Sequence, residues 1–254
     1  MERISSRANE KIKYACSLKQ AHSRAENGDF LIEGYRLVRD AVLSGIDVRR
    51  IFFDERAKQK YSCEFLGLKD TEIFEISEPV CRKLEDTKNS QGVFAVCKVP
   101  ERDFVIDSQA NYVLLENLQN PANMGTILRT AEALGVSGAV LVNCPDIYSP
   151  KALRSGMGCT FRLPCLVCED LSVVEQFKAC GISVYAAVVK QADAALDELS
   201  GRRSALVAIG NEGNGLSEEF LSLADKKVTI PMKGRAESLN AASAASIIIY
   251  EMMK

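Results

Sequence analysis

The sequence predicts an α/β protein built in two parts. Short apolar runs such as YVLLE (112–116) and SALVAIG (204–210) alternate with longer segments of helical periodicity, the pattern of a parallel sheet covered on both faces. A charged segment that begins at Pro100, PERDFVIDSQ, separates two runs of different character and sets a boundary between residues 105 and 106. The 254 residues, 47% hydrophobic and 26% charged, suit a globular chain of one large domain or two ordinary ones.

In the first part, a polar helix over about 7–20 leads to the strand FLIEG (30–34). A helix follows in YRLVRDAVLSG (35–45), with Leu37, Val38, Ala41 and Val42 on one stripe. Next come the strand RRIFFDE (49–55), a helix near 56–67, the strand EIFEIS (72–77), a helix about 78–86 and the strand GVFAVCKV (92–99). The second part alternates more cleanly. Strand YVLLE precedes a helix from Asn123, strand GAVLVN (138–143) a helix near 150–156, and a strand near 166 a helix at 171–180. Strands SVYAAVV (183–189) and SALVAIG lead to a helix from Ser217, and strand KVTIPM (227–232) to a C-terminal helix from Ser238. In such folds ligands sit beyond the carboxyl ends of strands, so the strand-to-helix loops are the places to search.

Composition removes several function classes. No apolar run approaches the ~20 residues of a membrane span, and the start MERISSRANEKIKY has no apolar signal region. Nine irregularly spaced cysteines suggest free thiols in a reducing cytoplasm. Cys165 and Cys168 have a metal-like spacing without a second pair, so no metal is expected. His22, the single histidine, lies in a polar stretch without a nucleophile elbow and reads as an exposed loop residue, which argues against histidine-based hydrolysis. Charge is uneven. Residues 1–60 carry thirteen Lys/Arg against nine Asp/Glu, largely through six basic residues among the first 24, and such an arm suits a polyanionic partner or an ordinary solvated helix face.

Three loops remain. In NPANMGTILRTAEALG (120–135), Asn123 suits a helix N-cap, and Gly125 leaves open space one turn before Arg129. A cation there adds to the positive field of the helix start, so an anion belongs nearby; pairing with Glu132 is the structural alternative. In NEGNGLSEE (211–219), the glycines resemble a phosphate cradle, but Glu212 would repel phosphate and the phosphate-loop lysine is missing. Hydroxyls, amines or a cationic ligand suit it better. In IPMKGRAESLNAASAAS (230–246), Ser238 is the expected N-cap, Asn240 sits in the first turn, and small residues allow close approach.

In this order, the three loops resemble the signature motifs of the SpoU/TrmH family of RNA 2′-O-methyltransferases, within the SPOUT superfamily. The first motif stands at Asn123–Thr130, the second, G-x-E-x-x-G, at Gly210–Gly215, and the third at 230–232 with 238–240. Through FLIEGYRLVRDAV and QGVFAV, the first part resembles the family's L30-like RNA-binding domain. The resemblance implies an L30-like substrate-binding domain at 1–105 and a catalytic domain at 106–254, whose parallel sheet ends in a C-terminal trefoil knot. It implies a homodimer that transfers a methyl group from S-adenosylmethionine to a ribose 2′-OH. It implies a ribosomal RNA substrate, 23S, with transfer RNA as the alternative. Cofactor binding falls to Gly210, Asn211, Glu212, Gly213, Ile230, Met232, Leu239 and Asn240, and catalysis to Asn123, Arg129, Glu212, Ser238 and Asn240. A guanidinium is a poor base, which favours Arg129 as a phosphate ligand that stabilises the developing alkoxide over Arg129 as the proton acceptor. Two other classes compete: a non-catalytic RNA-binding or ribosome-assembly protein, and a nucleotide-binding metabolic enzyme.

Overall fold

Residues 1–254 are described by a computed structural model and fall into two units, 1–101 with 148–153 and 102–147 with 154–254. The chain begins with β1 (Glu2–Ile4), α1 (Glu10–Ser17), α2 (Ala21–Asn27), β2 (Asp29–Glu33), α3 (Tyr35–Leu43) and β3 (Val48–Phe53). It continues through α4 (Glu55–Tyr61), β4 (Glu72–Ile76), α5 (Glu78–Leu84) and β5 (Val93–Lys98). These strands form a mixed sheet in the order β1-β4-β3-β5-β2, with β5 antiparallel to both neighbours. Ile12 and Ala15 of α1 and Val80 and Leu84 of α5 join Phe52, Phe74, Phe94 and Val96 in one core.

Three local features differ from the pattern-based expectation. The helix expected over 7–20 is α1 alone, and α2 follows it, ending at Gly28 in the left-handed conformation that stops helices. His22 therefore lies exposed on a helix, beside Glu26, and not in a loop. The strand β1 is charged and short, and it forms only because β4 offers a parallel edge. The basic start does not make a free arm. Arg3 pairs with Glu75, Lys11 with Glu72 and Lys13 with Glu10, while Arg7, Lys19 and Arg24 donate to backbone carbonyls.

After β5 come β6 (Tyr112–Glu116), α6 (Pro121–Ala133), β7 (Gly138–Val142), α7 (Pro150–Gly156), β8 (Cys165–Cys168), α8 (Val173–Ala179) and β9 (Ser183–Ala187). The chain ends with β10 (Ala205–Ile209), α9 (Glu218–Leu223), β11 (Lys226–Val228) and α10 (Ala241–Met253). The sheet of the second unit is parallel throughout, in the order β11-β9-β10-β6-β7-β8. Its central strands are buried on both faces, which explains their continuous apolar runs. Phe104, in the segment expected to be a linker, packs against Tyr112 and Phe177 of this core. No helix is long and apolar enough to cross a membrane.

From β6 the chain adds β7 and β8 on one side, then returns to build β9, β10 and β11 on the other. The order reverses between β6 and β10, and parallel sheets bind ligands at the carboxyl ends near such a reversal. Cys165 and Cys168 sit three apart on the edge strand β8, so their side chains point to opposite faces. Burial pushes the Cys165 thiol up to about 12.

Candidate active site

Two helix starts were expected at the wrong residue. α6 begins at Pro121, whose fixed φ suits the first helical position. Its N-cap is Asn120, whose Oδ1 accepts from the Ala122 N–H at 3.0 Å, and not Asn123. Asn123 lies in the first turn, which frees its amide to reach outward. α10 is capped by Asn240 and not by Ser238, because the Asn240 Oδ1 accepts from both Ala242 and Ser243 N–H groups. The strand expected at 227–232 ends at Val228, and residues 231–240 are exposed.

The turn after β10 closes on itself. Asn211 and Gly215 exchange backbone hydrogen bonds of 2.9 and 3.0 Å, and the Asn211 Oδ1 accepts from Gly213 and Asn214. A Cβ on Gly210 would overlap the backbone of Gly215 and Leu216, so only glycine fits at this position. Glu212 then reaches across to the β6–α6 loop. Its carboxylate accepts from the backbone of Gln119 at 3.0 Å and Asn120 at 3.1 Å, and from the Asn123 amide at 2.9 Å. Partial burial pushes this carboxyl up, but the Gln119 N–H, the Asn123 amide and the neighbouring backbone N–H groups outweigh it and hold it below the ordinary glutamate value. In turn the Asn123 Oδ1 accepts from the Asn240 amide at 3.3 Å. One hydrogen-bonded line thus joins the three motifs through Glu212, Asn123 and Asn240.

Beside this line lies a small open cleft of about 180 Å³. Gly210, Asn211, Glu212, Gly213, Ile230, Met232, Ser238 and Leu239 line it. The small face of α10 contributes Ala241 and Ala244, and β9 leads in Ala187, Val188 and Val189. Glu237 is a further lining carboxylate that sequence reasoning did not single out. Asn240 stands at the rim through its bond to Asn123.

Arg129 is not part of this cleft. It is exposed on α6 and makes no hydrogen bond or ion pair within the chain. The alternative partner, Glu132, accepts instead from the Arg162 Nε at 2.6 Å. A guanidinium left free on an ordered helix remains available to an anion from outside.

Residues 110–250 match the model of the SpoU rRNA methylase family, over more than half of the chain. The chain belongs to that family. Residues 9–95 match a second family model, the MRM3-like substrate binding domain. A 23S rRNA (guanosine(2553)-2′-O)-methyltransferase from Bacillus subtilis is 32% identical, with 99% of each chain covered. A 23S rRNA (uridine(2479)-2′-O)-methyltransferase from Streptomyces viridochromogenes is 33% identical, over 99% of this chain and 92% of its own length. Among solved structures, the SpoU methyltransferase AviRb from Streptomyces viridochromogenes in complex with AdoMet superposes with a TM-score of 0.87. It is 31% identical, covering 96% of this chain and 97% of its own.

Proposed function

We propose that this SpoU-family chain methylates a ribose 2′-OH of 23S ribosomal RNA with S-adenosylmethionine as donor. The observation that carries the reading is the line Glu212–Asn123–Asn240 along the rim of a cleft lined by the second and third motif loops. The cleft fits a cationic, phosphate-free cofactor. Glu212 and Glu237 line it, no lysine or arginine does, and the glycine turn and alanine face leave room for flat or aliphatic groups. Gly210, Asn211, Gly213, Ile230, Met232 and Leu239 would hold the cofactor, with Asn240 at the rim. When bound, it supplies an electrophilic methyl group on a sulfonium.

The chain's own residues do the rest. Glu212 is occupied by three donors, so it orients Asn123 and the β6–α6 loop and does not act as a free base. Asn123 and Asn240 position the incoming ribose, and Ser238, which caps nothing, lines the cleft. Arg129 binds the phosphate beside the target and stabilises the negative charge that develops on the ribose oxygen as the hydroxyl passes its proton to water. We extend the proposal to a substrate-binding role for the L30-like residues 1–105, a knotted path through 106–254, and a cytoplasmic homodimer. The exposed Ile247 and Tyr250 of α10, on the helix that packs against α6, support a protein interface there. Light scattering at micromolar concentration should give twice the 27.8 kDa chain mass. Mapping of 2′-O-methyl groups in rRNA and tRNA from cells with and without the gene tests the function. One 23S position should lose its methyl group; loss confined to tRNA, or no loss, would overturn the reading.

A further inference from the structure

Glu116 ends β6 at the centre of the parallel sheet and is only 2% exposed. A carboxylate in such a place must be satisfied, because an unpaired buried charge is costly. Both of its hydrogen-bond donors belong to Ser217. The Ser217 N–H donates to Oε2 at 2.9 Å and the Ser217 hydroxyl to Oε1 at 2.5 Å. Ser217 is also the N-cap of α9, and its Oγ accepts from the Phe220 N–H at 3.1 Å. That incoming bond leaves the hydroxyl proton to point at Glu116.

The next residue makes a second attachment. Asn117 has φ of 54°, a left-handed conformation that asparagine tolerates better than most residues. The turn directs its carbonyl to the Asn211 amide at 2.8 Å. Two consecutive residues thus grip the two ends of the glycine turn: Asn117 at Asn211, and Glu116 at Ser217. Between those anchors lie Glu212, Gly213 and Gly215 of the cleft wall. The turn's own hydrogen bonds close its tip, and this clamp fixes its two ends to β6 and the residue after it.

We infer that Glu116 is a positioning residue for the cofactor, fixing the 210–217 turn in its binding shape through Ser217. The inference rests on the proposed use of the cleft for S-adenosylmethionine. A carboxylate is needed because it is acceptor-only and takes both Ser217 donors, whereas an amide takes one and turns its NH₂ toward the other.

Calorimetric titration of the purified protein with S-adenosylmethionine tests it. In Glu116→Gln one donor loses its acceptor in a buried place, which should weaken affinity roughly tenfold. Single-turnover methylation at saturating cofactor should fall less than cofactor affinity does. Ser217→Ala should weaken binding several-fold, and the double variant should lose less than the two single losses combined, because the partners act as one unit. A core substitution on β7, Val140→Ala, matched for loss of Tm, should leave cofactor affinity unchanged and so separate positioning from general destabilisation. Native affinity in folded Glu116→Gln, or additive losses in the double variant, would overturn the inference. Should Glu116→Gln not fold, native affinity in Ser217→Ala would overturn it alone. Failure of the wild-type protein to bind the cofactor would instead overturn the proposed function.

Discussion

The loops that build the cleft are held in opposite ways. The 210–217 turn is tied to the end of β6 and the loop after it: Asn211 and Ser217 donate to Asn117 and Glu116, and Glu212 accepts from Gln119 and Asn123. By contrast, residues 231–239 are exposed and have no such bonds; their fixed point is Asn240 at the start of α10. One wall is therefore built before any ligand arrives, while the other is anchored at its ends only. Folding sets the shape of the first wall, whereas the second has no hydrogen bonds of its own to set it.

The largest expected effect lies outside both walls. Arg129→Ala removes a free guanidinium that braces nothing, so folding and cofactor affinity should stay native. Losing one strong electrostatic donor should cost ~10²–10³ in single-turnover rate. Arg129→Lys should recover little, since a point charge lacks the planar fork. Near-normal turnover in Arg129→Ala would remove the arginine from the mechanism.

Breaking the prebuilt wall comes next. Gly210→Ala forces a Cβ into the backbone of Gly215 and Leu216. A strain of about 2 kcal/mol corresponds to roughly thirtyfold in cofactor Kd. On the other wall, Met232→Ala trims one apolar cofactor contact from an exposed segment and should weaken Kd less, by about threefold. Similar losses from the two would mean that the walls do not differ.

A smaller effect separates the two candidate caps. Asn240→Ala removes the N-cap of α10 and should cost about 1 kcal/mol, which is about 2–4 °C in Tm for a chain of this size. Ser238→Ala should leave Tm unchanged, because Ser238 caps nothing. Thermal unfolding of the two variants side by side reads the difference.

The smallest effect is in pH. The Glu212 carboxyl is held below its ordinary value by the Gln119, Asn123 and Asn120 donors, against partial burial. Its contribution is complete above the unfolded value of ~4.3 and is lost only as pH falls through the lower folded value. Cofactor affinity should therefore be flat from pH 8 to 5 as far as this group is concerned. Titrations with wild type and Glu212→Gln should diverge in shape only below that range.

Much of this was legible in the sequence, and the misses have identifiable causes. Apolar runs placed the strands of the second unit, because strands buried on both faces must be apolar throughout. The glycine and asparagine loops marked the cleft, because tight turns restrict the residues allowed. Caps were misplaced by two or three residues, since Asn120, Asn123, Ser238 and Asn240 are all competent and only the backbone path chooses among them. Both β1 and the fate of the basic start depend on partners more than 60 residues away, such as Glu72 and Phe74. Glu116 was invisible for the same reason: a charged residue closing an apolar strand reads as its exposed end until Ser217 is known to sit against it.

The central claim is methyl transfer to a ribose hydroxyl, and the chemistry of RNA hydrolysis tests it directly. Alkali cleaves RNA through the free 2′-OH, so a 2′-O-methyl group protects the bond that follows it. A 23S rRNA transcript would be incubated with the protein and S-adenosylmethionine labelled in the methyl group, then hydrolysed in alkali. The label is expected in alkali-resistant dinucleotides, and absent when Arg129→Ala replaces the wild type. Label in ordinary mononucleotides would mean methylation of a base, and that result would contradict the account.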